Sequence, residues 1–145
     1  MIFITKNSQY VIKQDKMSFF NNIFGSNEET NSSSKINWNQ LDDLKVIDEA
    51  IALSYEKPVI LFKHSTRCSI SRFALKQFEN DYNFSTEQME PFFLDLLNHR
   101  NISNEIAERF QVAHQSPQLI VVKDGVAIFS STHSDIEAEI LNKFV

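Results

Sequence analysis

The chain has one cysteine, Cys68, within the stretch HSTRCSIS (64–71). One thiol cannot close an internal disulfide or build a cysteine zinc cluster within one chain. Any chemistry at this position is therefore that of a single nucleophilic sulfur. Free cysteine usually behaves as a small buried hydrophobe, but its neighbours here, Ser65, Thr66, Arg67, Ser69 and Ser71, are polar, so the segment is not wholly interior. Arg67 adds positive charge, and Thr66, Ser69 and Ser71 add donors that suit a thiolate. Ser71 makes the motif C-x-x-S. In a C-x-x-C pair the second thiol attacks the mixed disulfide and releases the substrate; a hydroxyl cannot. It can donate a hydrogen bond to the thiolate from one helical turn away, and Cys68 then needs an outside thiol to complete its cycle.

Two histidines and a proline are the other candidates. His64, four residues before Cys68, either helps titrate the site or is a strand-end residue with a satisfied hydrogen bond. His114 offers the same choice close to Pro117. Pro117 fits the first position of a strand; a cis Ser116–Pro117 peptide would leave the Ser116 backbone open to an extended substrate segment. Asp95 is either a buried carboxylate or an outward strand-end residue. No Ser-His-Asp set or metal-ligand spacing occurs, and two glycines in the whole chain exclude a phosphate-binding P-loop.

These residues need elements to hold them. Ile36-Asn37-Trp38 reads as a short strand. Residues 41–54 place Leu41, Leu44, Ile47 and Ile51 at helical spacing, with Asn39 as N-cap and Asp42 and Asp43 in the first turn. Pro58 opens Val59–Phe62, a run suited to a strand buried on both faces. Residues 69–81 carry Ile70, Phe73, Ala74 and Phe78 on one helical face. Strand 92–97 follows Pro91, then a helix capped by Asn101 or Ser103 with Ile102, Ile106 and Phe110. Strand 118–122 leads through Asp124-Gly125, a hairpin signal, into strand 126–129. Ser134 and Glu137 form a capping box for a last helix presenting Ile136, Ile140, Leu141 and Phe144.

Strands separated by helices imply parallel pairing. The expected fold is α/β: a central mixed sheet, mostly parallel with one antiparallel edge hairpin, and helices on both faces. Cys68 then lies past the C-terminal end of a buried strand, at the edge where open α/β sheets collect ligands. The following helix offers unpaired N–H groups and partial positive charge, a setting that favours thiolate.

With 145 residues the chain fits one domain, and 42% apolar with 23% charged composition is globular. Residues 1–35 differ. NNIFGSNEETNSSSK (21–35) is polar and reads as flexible, with one apolar turn at MSFFNNIF (17–24), so the domain is expected over 36–145. A net charge of −5 without a basic aromatic stripe argues against nucleic acid. No apolar run reaches the length of a membrane span and MIFITK lacks a signal-peptide pattern, which points to a cytoplasmic protein.

The element order, with a cysteine at a strand-to-helix junction and a later Ser-Pro before a hairpin, resembles the thioredoxin fold. More narrowly, KPVILFKHSTRCSIS (57–71) with HQSPQLIVVKDG (114–125) is similar to the monothiol bacilliredoxin (YtxJ-like) family, over roughly residues 36–144. The resemblance implies a bacterial redox protein that takes bacillithiol from mixed disulfides on other proteins through Cys68. Pro117 would be a cis proline facing Cys68, and Ser71 would stand where a second cysteine is missing. Many relatives have proline after the cysteine; here it is Ser69. Bacillithiol would be a co-substrate, with no tightly bound cofactor and no metal. The partners would be bacillithiolated proteins and a resolving low-molecular-weight or protein thiol, and a monomer is expected. Two other readings stand beside this one: an iron–sulfur carrier, since C-S-I-S loosely resembles the C-G-F-S of some monothiol glutaredoxins, and a binding module without turnover.

Overall fold

The computed structural model describes residues 34–145; the expectations for residues 1–33 lie outside the described residues. The sheet has five strands in the order β1-β3-β2-β4-β5. They are β1 (Asn39–Gln40), β2 (Val59–His64), β3 (Glu90–Asp95), β4 (Gln118–Lys123) and β5 (Val126–Thr132). Three α-helices connect them: α1 (Leu44–Leu53), α2 (Ser69–Asp81) and α3 (Arg100–Phe110).

β2 is fully buried along its length, as its unbroken apolar run requires. Its side chains alternate between two cores. Ile60 and Phe62 face a cluster with Ala74 and Phe78 of α2, Leu119, Val121, Ile136 and Leu141. Val59 and Leu61 face one with Ile47 and Ala50 of α1, and Ile102 and Ile106 of α3. α2 therefore covers one sheet face, and α1 and α3 the other. Trp38 joins the first cluster, with its ring 5.9 Å from Phe62 and 6.1 Å from Phe78.

Several expectations need correction. β1 lies at Asn39–Gln40, after the predicted Ile36–Trp38, so Asn39 is a strand residue and Asp43 caps α1, accepting from the Lys45 N–H at 2.9 Å. Leu44 is exposed at 43%, as are Ile70 at 57% and Phe73 at 71%. The face α2 buries is Ser71, Ala74 and Phe78. His99, rather than Asn101 or Ser103, is the N-cap of α3.

β3 begins at Glu90 and contains Pro91. Glu90 and Leu96 donate their N–H groups to the Pro58 and His64 carbonyls. Strand alternation then turns the Pro91 nitrogen toward β1, which pairs only with Phe92 and Phe93, so no ladder bond is lost.

The sheet is more evenly mixed than expected. β1 and β2 both pair parallel with β3, but β4 runs antiparallel to β2 as well as to β5. A helix between two strands gives parallel pairing only if it alone returns the chain; here residues 111–117 follow α3 and carry the chain back before β4 starts. The Asp124-Gly125 hairpin forms as expected, with φ of 54° and 79°, the left-handed pair of a type I′ turn.

The last predicted helix is instead two 3₁₀ segments, His133–Asp135 and Ala138–Phe144. Ile136 and Glu137 between them are extended, and Glu137 makes no side-chain capping bond. The break lets Ile136, Ala138 and Leu141 all be buried.

Candidate active site

β2 delivers the chain to the sheet edge at His64, and residues 65–67 turn it into α2. Cys68 is the N-cap of α2, with extended backbone (φ −105°, ψ 122°). Its N–H donates to the Ser65 carbonyl at 3.2 Å, and its carbonyl accepts from the Arg72 N–H at 3.0 Å. The thiol is half-buried and makes no capping bond. It stands at the helix mouth, where first-turn N–H groups lack intrahelical partners.

Ser71 is fully buried. Its Oγ accepts from the Ser65 N–H at 3.0 Å and lies 2.8 Å from His64 Nδ1. The expected hydrogen bond from Ser71 to the thiol is therefore not the one formed; the hydroxyl ties the turn to the strand end. Thr66 and Arg67 are exposed. The Thr66 carbonyl accepts from the Arg72 guanidinium at 3.1 Å, which brings a second cation to the turn. Arg72 is a site residue absent from the motif-based expectation, although helical spacing of four places it on the turn above Cys68.

His64 is buried, with its ring 5.5 Å from that of Phe93. Burial lowers its pKa below the ordinary histidine value; Asp95 and Glu79 pull it up, and Arg72 pushes it down. Asp95 lies opposite His64 in the β2–β3 register. Its Oδ2 accepts from the Asn98 amide at 2.8 Å, while its Oδ1 is buried without a partner.

The other sheet face holds a second polar cluster. Lys63 is fully buried, and burial lowers its pKa from 10.5 to about 8. Its Nζ donates to the Ser103 carbonyl at 3.4 Å and lies 3.3 Å from His114 Nδ1. His114 also lies 3.1 Å from Ser103 Oγ, and burial, Lys63 and Arg100 lower its pKa. Lys63 directly follows the apolar run Val59–Phe62, and only the length of the buried strand reveals that it lies inside the core.

The Ser116–Pro117 peptide is cis. Gln118, the next residue, pairs with Lys63, so this peptide stands at the same sheet edge as the turn leading to Cys68. The Pro117 carbonyl accepts from the His133 N–H at 3.2 Å. Ser116 Oγ is buried without a partner, and no hydrogen bond among the described residues uses the Ser116 backbone. Among the described residues no group of three or more His, Cys, Asp or Glu could hold a metal ion, and no helix is long and apolar enough to cross a membrane.

Comparison with known proteins agrees with this geometry. The sequence profile described as "Monothiol bacilliredoxin BrxC" matches residues 39–141. A solved structure described as having a thioredoxin fold, and provisionally as an oxidoreductase, is 27% identical, with a TM-score of 0.61 over 72% of this chain and 89% of that one. Thioredoxin from Malassezia sympodialis superposes with a TM-score of 0.59 at 12% identity, over 78% of this chain and 91% of that one. Thioredoxin from Fasciola hepatica gives 0.55 at 14%, over 72% and 93%. At such low identity these two matches speak for the fold alone.

Proposed function

The chain belongs to the monothiol bacilliredoxin family BrxC, and from that premise we propose that it is a monothiol thiol–disulfide oxidoreductase that takes bacillithiol, or a similar low-molecular-weight thiol, from mixed disulfides on other proteins. The observation that carries this reading is the placement of the sole cysteine: half-buried, at the N-cap of α2, on the sheet edge that also bears the cis Ser116–Pro117 peptide. The Cys68 thiolate attacks the small-thiol sulfur of the mixed disulfide. The Cys68–small thiol disulfide forms, the protein–small thiol bond breaks, and the protein sulfur leaves as thiolate and takes up a proton. A second thiol then attacks the Cys68 mixed disulfide, returning Cys68 as thiolate and leaving the small thiol in a new disulfide.

Two further features support a protein substrate. The unused Ser116 backbone can pair with an extended segment, and the exposed Ile70 and Phe73 on the first turns of α2 give it apolar contact. The experiment follows masses after mixing reduced protein with a bacillithiolated substrate. Transfer of the bacillithiol mass to Cys68 is expected, and its loss in Cys68→Ala. Absence of transfer, or full activity in Cys68→Ala, overturns the proposal.

A further inference from the structure

The Ser71 hydroxyl has one hydrogen and two acceptor lone pairs. The Ser65 N–H occupies one lone pair at 3.0 Å. The 2.8 Å contact with His64 Nδ1 can then be made in two ways. With Nδ1 unprotonated, Ser71 donates its hydrogen to the ring. With Nδ1 protonated, the ring donates into the second lone pair, and the hydroxyl hydrogen must find another acceptor. Cys68 is the N-cap and Ser71 the third residue of α2, so both side chains belong to the turn that opens the helix.

We propose that His64 is a positioning residue for Cys68: the state of its Nδ1 atom sets whether the Ser71 hydroxyl hydrogen points at the ring or at the Cys68 thiolate. This rests on Cys68 being the reacting group. Both side chains of the relay are buried, Ser71 at 0% and His64 at 5% exposed, so water does not replace either bond. The charged groups facing the ring are Asp95 from β3, and Glu79 and Arg72 from α2. Glu79 already accepts from the Trp38 indole at 2.7 Å. Asp95, opposite His64 and with a buried oxygen lacking any partner, is the group best placed to balance a protonated ring. The relay explains why a buried histidine adjoins the C-x-x-S serine: with Nδ1 bare, the ring draws the hydrogen away from the resting thiol; with Nδ1 protonated, it releases that hydrogen to the thiolate. No bond other than to hydrogen changes.

The test is the pH dependence of Cys68 alkylation by iodoacetamide in the wild-type protein, His64→Asn, Ser71→Ala and the double variant. Between the pH at which His64 protonates in the thiol form and the higher pH at which it protonates in the thiolate form, the wild-type rate should fall by clearly less than the about tenfold per pH unit of an isolated thiol, because the two titrations are coupled. All three variants should show the full slope, the double variant should match Ser71→Ala, and Ser71→Thr should restore the shallow limb. A shallow limb that survives in Ser71→Ala would mean that His64 acts through its charge alone, and overturns the relay; so does a full slope in the wild type.

If Ser71→Ala fails to fold by amide spectra, long-range proton–nitrogen spectra of the wild type decide. The His64 Nδ1 signal should move toward the protonated form when Cys68 is thiolate and return on alkylation; an unmoved signal overturns the proposal. Failed bacillithiol transfer alongside the expected slopes would remove the proposed substrate and leave the relay standing.

Discussion

At the scale of single residues, Ser69 stands at the first position of α2, next to the thiol. It is exposed. Proline suits the first helical position but requires an extended residue before it. Cys68, at φ −105° and ψ 122°, already has that conformation. Ser69→Pro should therefore fold normally and gain about 0.4–1 kcal/mol through a stiffer unfolded chain, read as a melting temperature a few degrees higher. A lower melting temperature would show that the Ser69 N–H matters to the native turn. The motif itself was legible from the sequence, since polar neighbours and a preceding apolar strand suffice to place a cysteine at a helix mouth. The partner of Ser71 was not. Its bond to His64 joins residues seven apart, across a turn whose shape no local rule supplies.

At the scale of elements, the β4–β5 hairpin is fastened to the end of α1 by one serine. Ser54 is fully buried; its Oγ accepts from the Gly125 N–H and its carbonyl from the Asp124 N–H, both at 2.8 Å, while the hydroxyl donates to the Ile51 carbonyl at 2.6 Å. Ser54→Ala leaves the Gly125 N–H without its acceptor and should cost about 1–3 kcal/mol, checked by urea unfolding, with faster amide exchange at Gly125. An unchanged unfolding midpoint would show that water takes over the bond. α2, α3 and the hairpin were readable from periodicity and turn chemistry. The chain end was not: Ser134 and Glu137 have the spacing of a capping box, but the positions of Ile136, Ala138 and Leu141 against the first core determine the backbone there, and two 3₁₀ segments bury all three. The exposure of Ile70 and Phe73 is a second case. Their spacing fits the buried stripe of α2, yet the sheet receives the neighbouring stripe of Ser71, Ala74 and Phe78.

At the scale of the whole molecule, Lys63 links stability to alkaline pH. Its pKa falls from 10.5 to about 8 on folding, so between those values the unfolded chain holds a proton that the native state lacks. Below pH 8 both states are protonated and burial of the charge costs up to roughly 3 kcal/mol; that cost disappears as pH rises toward 10.5. Lys63→Met removes the charge and keeps much of the volume. Wild type and variant compared by urea unfolding at pH 7, 9 and 10 should converge from a more stable variant; a constant difference would show that the hydrogen bonds to Ser103 and His114 outweigh the charge. The two-core architecture followed from the sequence, whereas the direction of β4 did not, because it depends on where residues 111–117 take the chain. From Ser103 to Phe110, α3 descends about 10 Å, yet His114 lies again beside Ser103, at 3.1 Å. Residues 111–114 and the side chains of Ser103 and His114 make the ascent together. The return begins at once: Gln111 is left-handed and the Val112 N–H still bonds the Ala107 carbonyl at 3.1 Å, so the loop carrying Ser116 and Pro117 hangs from the last turn of α3, and loosening that turn would lower the substrate-facing edge with it.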